Sequence, residues 1–425
     1  MEILTKNYLT RGFWGDEAWT ALISQLSLKE IITTTAQDFH PPFYYFLVHF
    51  WIKLFGDSEA AIRSLSILFW VLTGFIVYQL CLGFWRKRQA LLATVFALTN
   101  PFIFTYAFEA RSYGLLTLLT VSSMFCFLKA FKDQKPWGVF YLLTGVAGVY
   151  THYYMWFVIL AQGIYTLFLE RTYSKRFLPS FLGIILSYLP WLPVFLKQSR
   201  AVAQEYWIPK MDKRTHADTF VRLVAGHETG IITNLLVLAY LLIFLTRFCL
   251  WLREPRRVSK IAGFLLLWFL TPITVPTLIS LYKPVYFYRY LVFTSIPLAL
   301  LLFLSLSRKR LFCLAAILIF VNLILDYQIF TKQPLTMREA FALIDKDSYP
   351  SDAIFTFLPS FAEVAYYNKD QLKIIVSEEG LVQFSGKSLL DALVKQGRAE
   401  IGKPPSGRFW LVEPGPKVTL RYNTI

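Results

Sequence analysis

Charge is scarce in this sequence: only 16% of its 425 residues are Asp, Glu, Lys or Arg, against about 25% in an ordinary soluble chain. A water-soluble fold of this size is thereby excluded, and apolar residues at 56%, with aromatics at 18%, fill the deficit. Acidic residues are the scarcer sign, 27 against 43 basic ones, leaving a net charge of +16. Elsewhere such a balance points to nucleic acid. Here the Lys and Arg residues fall in short clusters between apolar runs, as the positive-inside rule produces, so nucleic acid is not an expected partner. Cysteine is also sparse. Cys81, Cys126, Cys249 and Cys313 all lie within apolar runs and none has a CxxC spacing. That excludes a disulfide framework or a cysteine zinc site and leaves small core residues. The opening MEILTKNYLTRGFWGDEAW has no apolar h-region and is not a signal peptide. There is no internal repeat and no low-complexity segment.

What the chain does have is long apolar runs. Ten match the thickness of a hydrocarbon core: 64–85, 89–108, 112–131, 137–151, 153–170, 177–197, 230–252, 260–281, 289–306 and 310–330. The turns between them alternate in charge. One set carries Arg86, Lys87 and Arg88; Lys129, Lys132 and Lys135; Arg171, Lys175 and Arg176; Arg247, Arg253, Arg256, Arg257 and Lys260; and Arg308, Lys309 and Arg310. The other set is nearly empty apart from the long 197–229 loop. The basic set is expected in the cytoplasm. Residues 1–63, the turns at 109–111, 151–153 and 282–289, and everything after 330 are then expected outside an inner, plasma membrane.

Three regions follow: an outer segment 1–63, a transmembrane helical domain 64–330, and a small extracytoplasmic α/β domain 331–425. Within the first, HPPFYYFLVHFWIKLFG (His40–Gly56) is too short to cross. Tyr45, His49 and Lys53, four apart, make a polar stripe on it, as on a helix lying in the membrane plane. Residues 17–31 read as a weaker amphipathic helix. In the tail, strands are expected at Ala353–Phe357, Lys373–Val376 and Phe409–Val412, and helices at Met337–Asp345, Phe361–Tyr367 and Leu389–Lys395. The fold class is an all-α polytopic membrane protein of about ten transmembrane helices plus interfacial helices, with that α/β domain appended.

Polar side chains at membrane depth are costly and default to function. Those at the outer ends of the runs are Asp16, Glu17, His40, Glu109, Arg111, His152, Lys283, Tyr288 and Arg289, with further tyrosines around them. Together they comprise carboxylates able to act as a base, cations suited to a phosphate, and aromatic surfaces for a sugar or an isoprenoid.

The order GDEAW, HPPFYYFLVHFWIKLFGDSEAAIRSLS, EARSYGLL, THYY, PWLP and YRYLVFTSIPLALLL resembles the dolichyl-phosphate-mannose protein mannosyltransferase superfamily. It is most similar to the bacterial branch of lipid A aminoarabinose and rhizobial core-oligosaccharide transferases. The resemblance spans roughly residues 12–305. It implies a GT-C fold and inverting transfer of a sugar from a polyprenyl-phosphate donor to a glycan, lipid or protein acceptor on the extracytoplasmic face. Carried over by motif, Asp16 is the general base and Glu17 assists or positions the acceptor. Arg111 and Arg289 bind the donor phosphate, with Lys283 in support. His40, Glu109, His152 and Tyr288 complete the expected substrate site. The chain departs from the pattern in having no apolar run before Asp16, and in Ser64–Leu65 where relatives often carry proline.

Plainer roles exist for each. Asp16 and Glu17 suit a helix first turn; Glu59 and Arg63, four apart, suit a structural ion pair. Lys283 and Arg289 could snorkel to headgroups, Glu109 and Arg111 could be interface anchors, His40 could only set the helix entry, and His152 could only hydrogen-bond a neighbouring helix. A divalent cation at Asp16, Glu17 and an outer His is chemically admissible, yet no ligand spacing supports it, and no cofactor is otherwise expected. Alternative functions are a polytopic transporter or lipid flippase, disfavoured by the absence of repeats, and a non-catalytic lipid-binding relative.

Overall fold

A computed structural model describes residues 8–131, 134–204, 208–226, 230–251, 256–306, 312–332, 335–369, 371–379 and 386–423. The side chains of Lys132, Lys135, Arg247, Arg253, Arg256, Arg257, Arg308, Lys309 and Arg310, expected on the cytoplasmic side, lie outside this set, as do residues 1–7. The chain divides into two compact units. One comprises Met1–Leu65, Val194–Trp207 and Thr331–Ile425, the other Ser66–Pro193 and Ile208–Phe330. The outer segment and the tail, separated by the whole membrane region in sequence, therefore fall in one unit.

In that first unit the chain opens with α1 (Gly15–Gln25), α2 (Leu28–Gln37) and α3 (Phe43–Phe55). The single amphipathic helix expected over 17–31 is two helices. Leu26 leaves helical geometry, and Ser27 starts a new helix with a capping box, its hydroxyl accepting from the Glu30 N–H while the Glu30 carboxylate accepts from Ser27 N–H. Two orphan donors are satisfied at once, which favours a fresh start there. Helix α3 is too short to cross, as expected. Tyr45 and His49 of its polar stripe are buried, His49 Nδ1 lying 2.8 Å from the Ser24 carbonyl. Phe50, Leu54 and Phe55 are the exposed side. Lys53, the third residue of the expected stripe, is exposed beside them, and its ammonium can snorkel while the apolar side chains suit a lipid surface.

The tail supplies α17 (Met337–Asp347), β1 (Ala353–Thr356), α18 (Leu358–Asn368), β2 (Lys373–Ser377), α19 (Lys387–Lys395), β3 (Glu400–Gly402), β4 (Gly407–Glu413) and β5 (Lys417–Asn423). Every strand and helix expected there is present; β3 and β5 are additional. The sheet order is β3-β2-β1-β4-β5, parallel except for the β4–β5 hairpin. Parallel strands need both faces covered, and alternation along them provides two apolar sets. Ala353, Phe355, Ile375 and Phe409 form one core cluster, while Ile354, Val376 and Val412 are completely buried. Gly415, at φ +82°, takes the left-handed turn between β4 and β5 that a side chain would resist.

The second unit is built from the apolar runs. It contains most of α4 (Glu59–Leu82), then α5 (Lys87–Leu98), α6 (Pro101–Ala107), α7 (Tyr113–Ala130), α8 (Gln134–Val149) and α9 (Met155–Ile164). It continues with α10 (Ser174–Tyr188), the start of α11 (Leu192–Gln204), α12 (Thr215–Ala225), α13 (Ile231–Trp251), α14 (Arg256–Ser280), α15 (Ser295–Leu306) and α16 (Phe312–Thr331). Every expected run is helical. Among the described residues five helical segments are long and apolar enough to cross a membrane: Glu59–Leu82, Tyr113–Ala130, Arg171–Ala201, Lys260–Ser280 and Phe312–Thr331. The runs at 137–151, 153–170, 230–252 and 289–306 appear as shorter apolar helices. The expected span 89–108 is a pair, α5 and α6, bent by 69°. Its cause is local. Asn100 precedes a proline, which disfavours helical geometry, and its side chain caps α6 by accepting from the Phe102 and Ile103 N–H groups. Its amide donates to the Leu223 carbonyl at 2.8 Å, fixing the bend against α12. Large apolar side chains such as Phe75, Leu235 and Phe320 remain exposed on these helices, the surface a hydrocarbon solvent requires.

Candidate active site

The expected site residues fall into two groups, one in each unit. In the first unit, GDEAW forms the first turn of α1. Asp16 keeps part of its surface exposed, whereas Glu17 has none. Arg63, equally buried, meets Glu17 with both arms of its guanidinium: Nε donates to Oε1 at 2.8 Å and Nη2 to Oε2 at 2.6 Å. Its remaining donors reach the carbonyls of Leu9 at 2.9 Å, Arg11 at 2.5 Å and Gly12 at 3.3 Å. A charge this deep persists only when paired and hydrogen-bonded, and Arg63 has five such contacts. The ion pair expected between Glu59 and Arg63 is therefore not formed. Glu59 instead lies 3.5 Å from Arg338 Nη1 and accepts from the Tyr367 hydroxyl at 3.0 Å. A surface pair four apart is worth only a few tenths of a kcal/mol, which a bidentate buried pair outweighs.

His40 lies 3.7 Å from the Asp38 carboxylate, and its ring is 6.3 Å from that of Trp19, one turn beyond Asp16. Trp19 in turn packs edge-on against Tyr45 at 5.2 Å. The two prolines after His40 thus deliver it beside the helix that carries Asp16. Among the described residues no group of three or more His, Cys, Asp or Glu is gathered as for a metal ion.

In the second unit, four chain segments bring the other residues together. Glu109 and Arg111 occupy the turn between α6 and α7, where the Arg111 N–H donates to the Glu109 carbonyl at 2.8 Å. Ser66 of α4 donates to the same carbonyl at 2.6 Å. Both side chains are buried. His152 ends the turn between α8 and α9, with Nδ1 accepting from the Tyr154 N–H at 3.2 Å. A neutral imidazole with its proton on Nε2 satisfies that contact. The stretch before α15 is a 3-10 turn, Tyr288–Thr294. It is entered through Val285 and Tyr286, whose N–H groups donate to the Ser280 hydroxyl at 3.0 and 2.8 Å.

These turns meet through aromatic rings. His152 stands 4.7 Å from Tyr290, 5.5 Å from Tyr154 and 6.2 Å from Tyr113, and Tyr113 stands 5.0 Å from Tyr106. The cations lie on the same wall. Arg111 is 5.9 Å from the Tyr113 ring, and Arg289 is 5.2 Å from Phe287 and 6.0 Å from Tyr288. Tyr106 is close enough to Glu109 and Arg289 for both charges to act on its hydroxyl. Arg222, on α12, lies 4.3 Å above Tyr288. Arg222 belongs to no motif and lies within the long 197–229 segment; its one local signal is the amphipathic stretch Thr215–Ala225. Lys283 is partly buried on the turn after α14, and the contacts that assemble this cluster do not include it. The aromatic faces fix the orientation of these guanidinium groups, and three cations on one wall are suited by charge to an anion.

With both groups placed, the relation to known proteins is clear. Residues 39–196 match the family model for dolichyl-phosphate-mannose-protein mannosyltransferases, which bears out the motif resemblance. The matched stretch includes His40, Glu109, Arg111 and His152 and leaves Asp16 and Arg289 beyond its ends. Over 95% of this chain and 89% of the other, the fold is similar to that of ArnT from Cupriavidus metallidurans in the apo state, with a TM-score of 0.64 at 14% identity. The same figures hold for ArnT bound to undecaprenyl phosphate. None of the curated proteins matches the chain in sequence. The chain is thus a multi-pass integral membrane protein, mostly helical, with a small mixed sheet after its last span. Its fold is similar to that of ArnT, and the match to the mannosyltransferase family model is confined to residues 39–196.

Proposed function

We propose that this protein is a membrane-embedded glycosyltransferase that moves a sugar from a polyprenyl-phosphate donor to an acceptor on the extracytoplasmic face. The observation that carries this reading is the basic, aromatic cluster of Arg111, Arg222 and Arg289 with Tyr106, Tyr113 and Tyr288. Its occurrence in a fold shared with a protein solved with undecaprenyl phosphate bound supports a lipid-linked phosphate as the donor class. The charge alternation of the turns supports the outer face.

In this reading Arg111 and Arg289 hold the donor phosphate, and the aromatic wall holds the sugar or the first isoprene units. Asp16 takes the proton of the acceptor nucleophile as its lone pair bonds to the anomeric carbon. The bond from that carbon to the phosphate oxygen breaks, and its electrons leave with the lipid phosphate. A single displacement of this kind inverts the anomeric centre. Charge builds on the leaving oxygen, so preplaced cations stabilise the transition state more than the ground state. Glu17, fully engaged by Arg63, acts by fixing the first turn of α1 and so the direction of Asp16. His40 and Trp19 flank the acceptor side; Glu109 and His152 orient the phosphate-binding turns.

The test is to offer radiolabelled undecaprenyl-phosphate sugars to membranes containing the protein. Transfer is expected from at least one donor. It should fall by about 10²–10⁴-fold in Asp16→Asn, the loss typical of a missing acid–base group, with unchanged membrane yield. Transfer from no donor sinks the reading, and full activity of Asp16→Asn sinks the assignment of the base.

A further inference from the structure

Helix α18 of the tail domain presents one face to the segment that carries Asp16. The Tyr367 hydroxyl accepts from the Phe13 N–H at 2.6 Å, and the Tyr366 ring stands 5.0 Å from that of Phe13. Two turns earlier along the helix, a side chain added at Gly15 would place its Cβ 3.8 Å from the Pro359 carbonyl. Residues 359, 363, 366 and 367 share a helix face by their spacing, so Glu363 comes between these two contacts, opposite Asp16. Glu363 is partly buried.

We propose that Glu363 is a positioning residue for the base at Asp16: it receives the proton that Asp16 removes from the acceptor and passes it to solvent. This inference rests on the reading of Asp16 as the general base. In the step, the proton moves from one carboxylate oxygen to another, Asp16 regains its charge, and Glu363 then loses the proton to water.

The surroundings of Glu363 suit that task. Burial first, and the Asp16 charge second, push its carboxyl up to about 7, so it gains and releases a proton near neutrality. Two like charges at close range cannot both persist cheaply. Other elements against α18 bring charges already engaged elsewhere: Arg338 of α17 with Glu59, Lys373 of β2 with Glu400, and Arg408 of β4 with Asp352. Helix α19 brings Lys387 and Asp391, and Glu17 of α1 is held by Arg63. The charge that acts on Glu363 is that of Asp16.

The experiment is a pH profile of glycosyl transfer in membranes for the wild type, Glu363→Gln and Glu363→Asp, with Asp16→Asn as the reference for loss of the base. The wild type should show an acid limb with its midpoint near pH 7, the value for Glu363. In Glu363→Gln that limb should vanish, and the rate above it should fall by less than the about 10²-fold minimum of a direct acid–base group. Glu363→Asp keeps a titrating carboxylate and should keep the limb with a displaced midpoint. A residue that only packs α18 against α1 would alter yield and leave the profile unmoved. If Glu363→Gln is not recovered from membranes, the Asp variant decides: a displaced midpoint supports the relay, an unmoved one overturns it. An unchanged profile in Glu363→Gln, with Asp16→Asn inactive, overturns the relay alone. An active Asp16→Asn overturns the reading beneath it.

Discussion

In the unit made from the outer segment and the tail, Arg63 is sealed against Glu17 and three backbone carbonyls. In the membrane unit, Arg111, Arg222 and Arg289 lie against tyrosine and phenylalanine rings. Arg63 also stands over a ring, that of Phe13 at 5.0 Å, so the difference lies in the buried carboxylate and carbonyls that hold it. A guanidinium whose donors are all consumed by its own chain is a structural tie, since nothing is left to meet a ligand. The arginines of the membrane unit are instead oriented by the rings they stand on. Burial of an arginine therefore does not by itself distinguish structure from function; what holds it does.

That contrast predicts where each substitution should act. The largest effect on stability belongs to Arg63→Met. It strands the buried Glu17 carboxylate and should cost about 3–5 kcal/mol, read as a lower unfolding temperature in detergent. Replacing the pair together, Glu17→Leu with Arg63→Met, should recover much of that loss, because two apolar side chains of similar volume often replace a buried pair without penalty. No recovery would mean that Arg63 matters mainly through its backbone contacts.

Next are Arg111→Ala and Arg289→Ala. In the proposed reading each removes charged hydrogen bonds to the donor phosphate, worth about 1.5–3 kcal/mol, and should weaken the apparent affinity for the donor by about 10- to 150-fold. Unfolding temperature should change little. A destabilised protein with normal donor affinity would reverse the comparison and make these residues structural like Arg63.

A smaller effect concerns pH and stability. The Glu363 carboxyl is raised from its ordinary 4.5 to about 7 in the folded protein. A raised carboxyl binds its proton more tightly when folded, so its favourable contribution is complete below the unfolded value and is lost as pH rises through the folded one. Between pH 4.5 and 7 the wild type should therefore lose stability relative to Glu363→Gln, measured by thermal unfolding at several pH values. Parallel curves would show that the raised carboxyl has no thermodynamic weight.

The last prediction costs the protein nothing and sharpens the orientation. In a background free of the native cysteines, Lys87→Cys should resist an impermeant thiol reagent in intact cells and Pro284→Cys should react. The opposite pattern would put the basic, aromatic cluster on the cytoplasmic side and end the outer-face proposal.

Much of the architecture was legible because its causes are local. Runs of apolar residues located the five segments long and apolar enough to cross a membrane among the described residues, and period-two alternation located β1, β2 and β4. The bend between α5 and α6 was less legible. A proline at 101 announces an interruption, but only the Asn100 contact with Leu223 turns it into a fixed bend of 69°. Strand β5 escaped notice because its mixed side chains stand largely exposed on an edge, so no buried face enforces an apolar pattern.

The site was legible in part. Motif order and membrane position singled out Arg111, His152 and Arg289, and the structure gathers their segments on one aromatic wall. Spacing along the helix favours Glu59 as the partner of Arg63, yet the pair formed is with Glu17, 46 residues away. Arg222 and Glu363 were not found, since neither lies in a motif and each matters only through what folds against it.

The sequence by itself determined that this chain lives in a bilayer, which segments are helical, and which face of each tail strand is apolar. Hydropathy and periodicity act within a turn or two, so they can be read along the chain. Only the tertiary structure decided which carboxylate answers which guanidinium, which arginines stand on aromatic faces, and that a glutamate late in the chain shares its surroundings with Asp16. Those choices depend on burial and on donors and acceptors brought together across hundreds of residues, and sequence spacing carries no record of either.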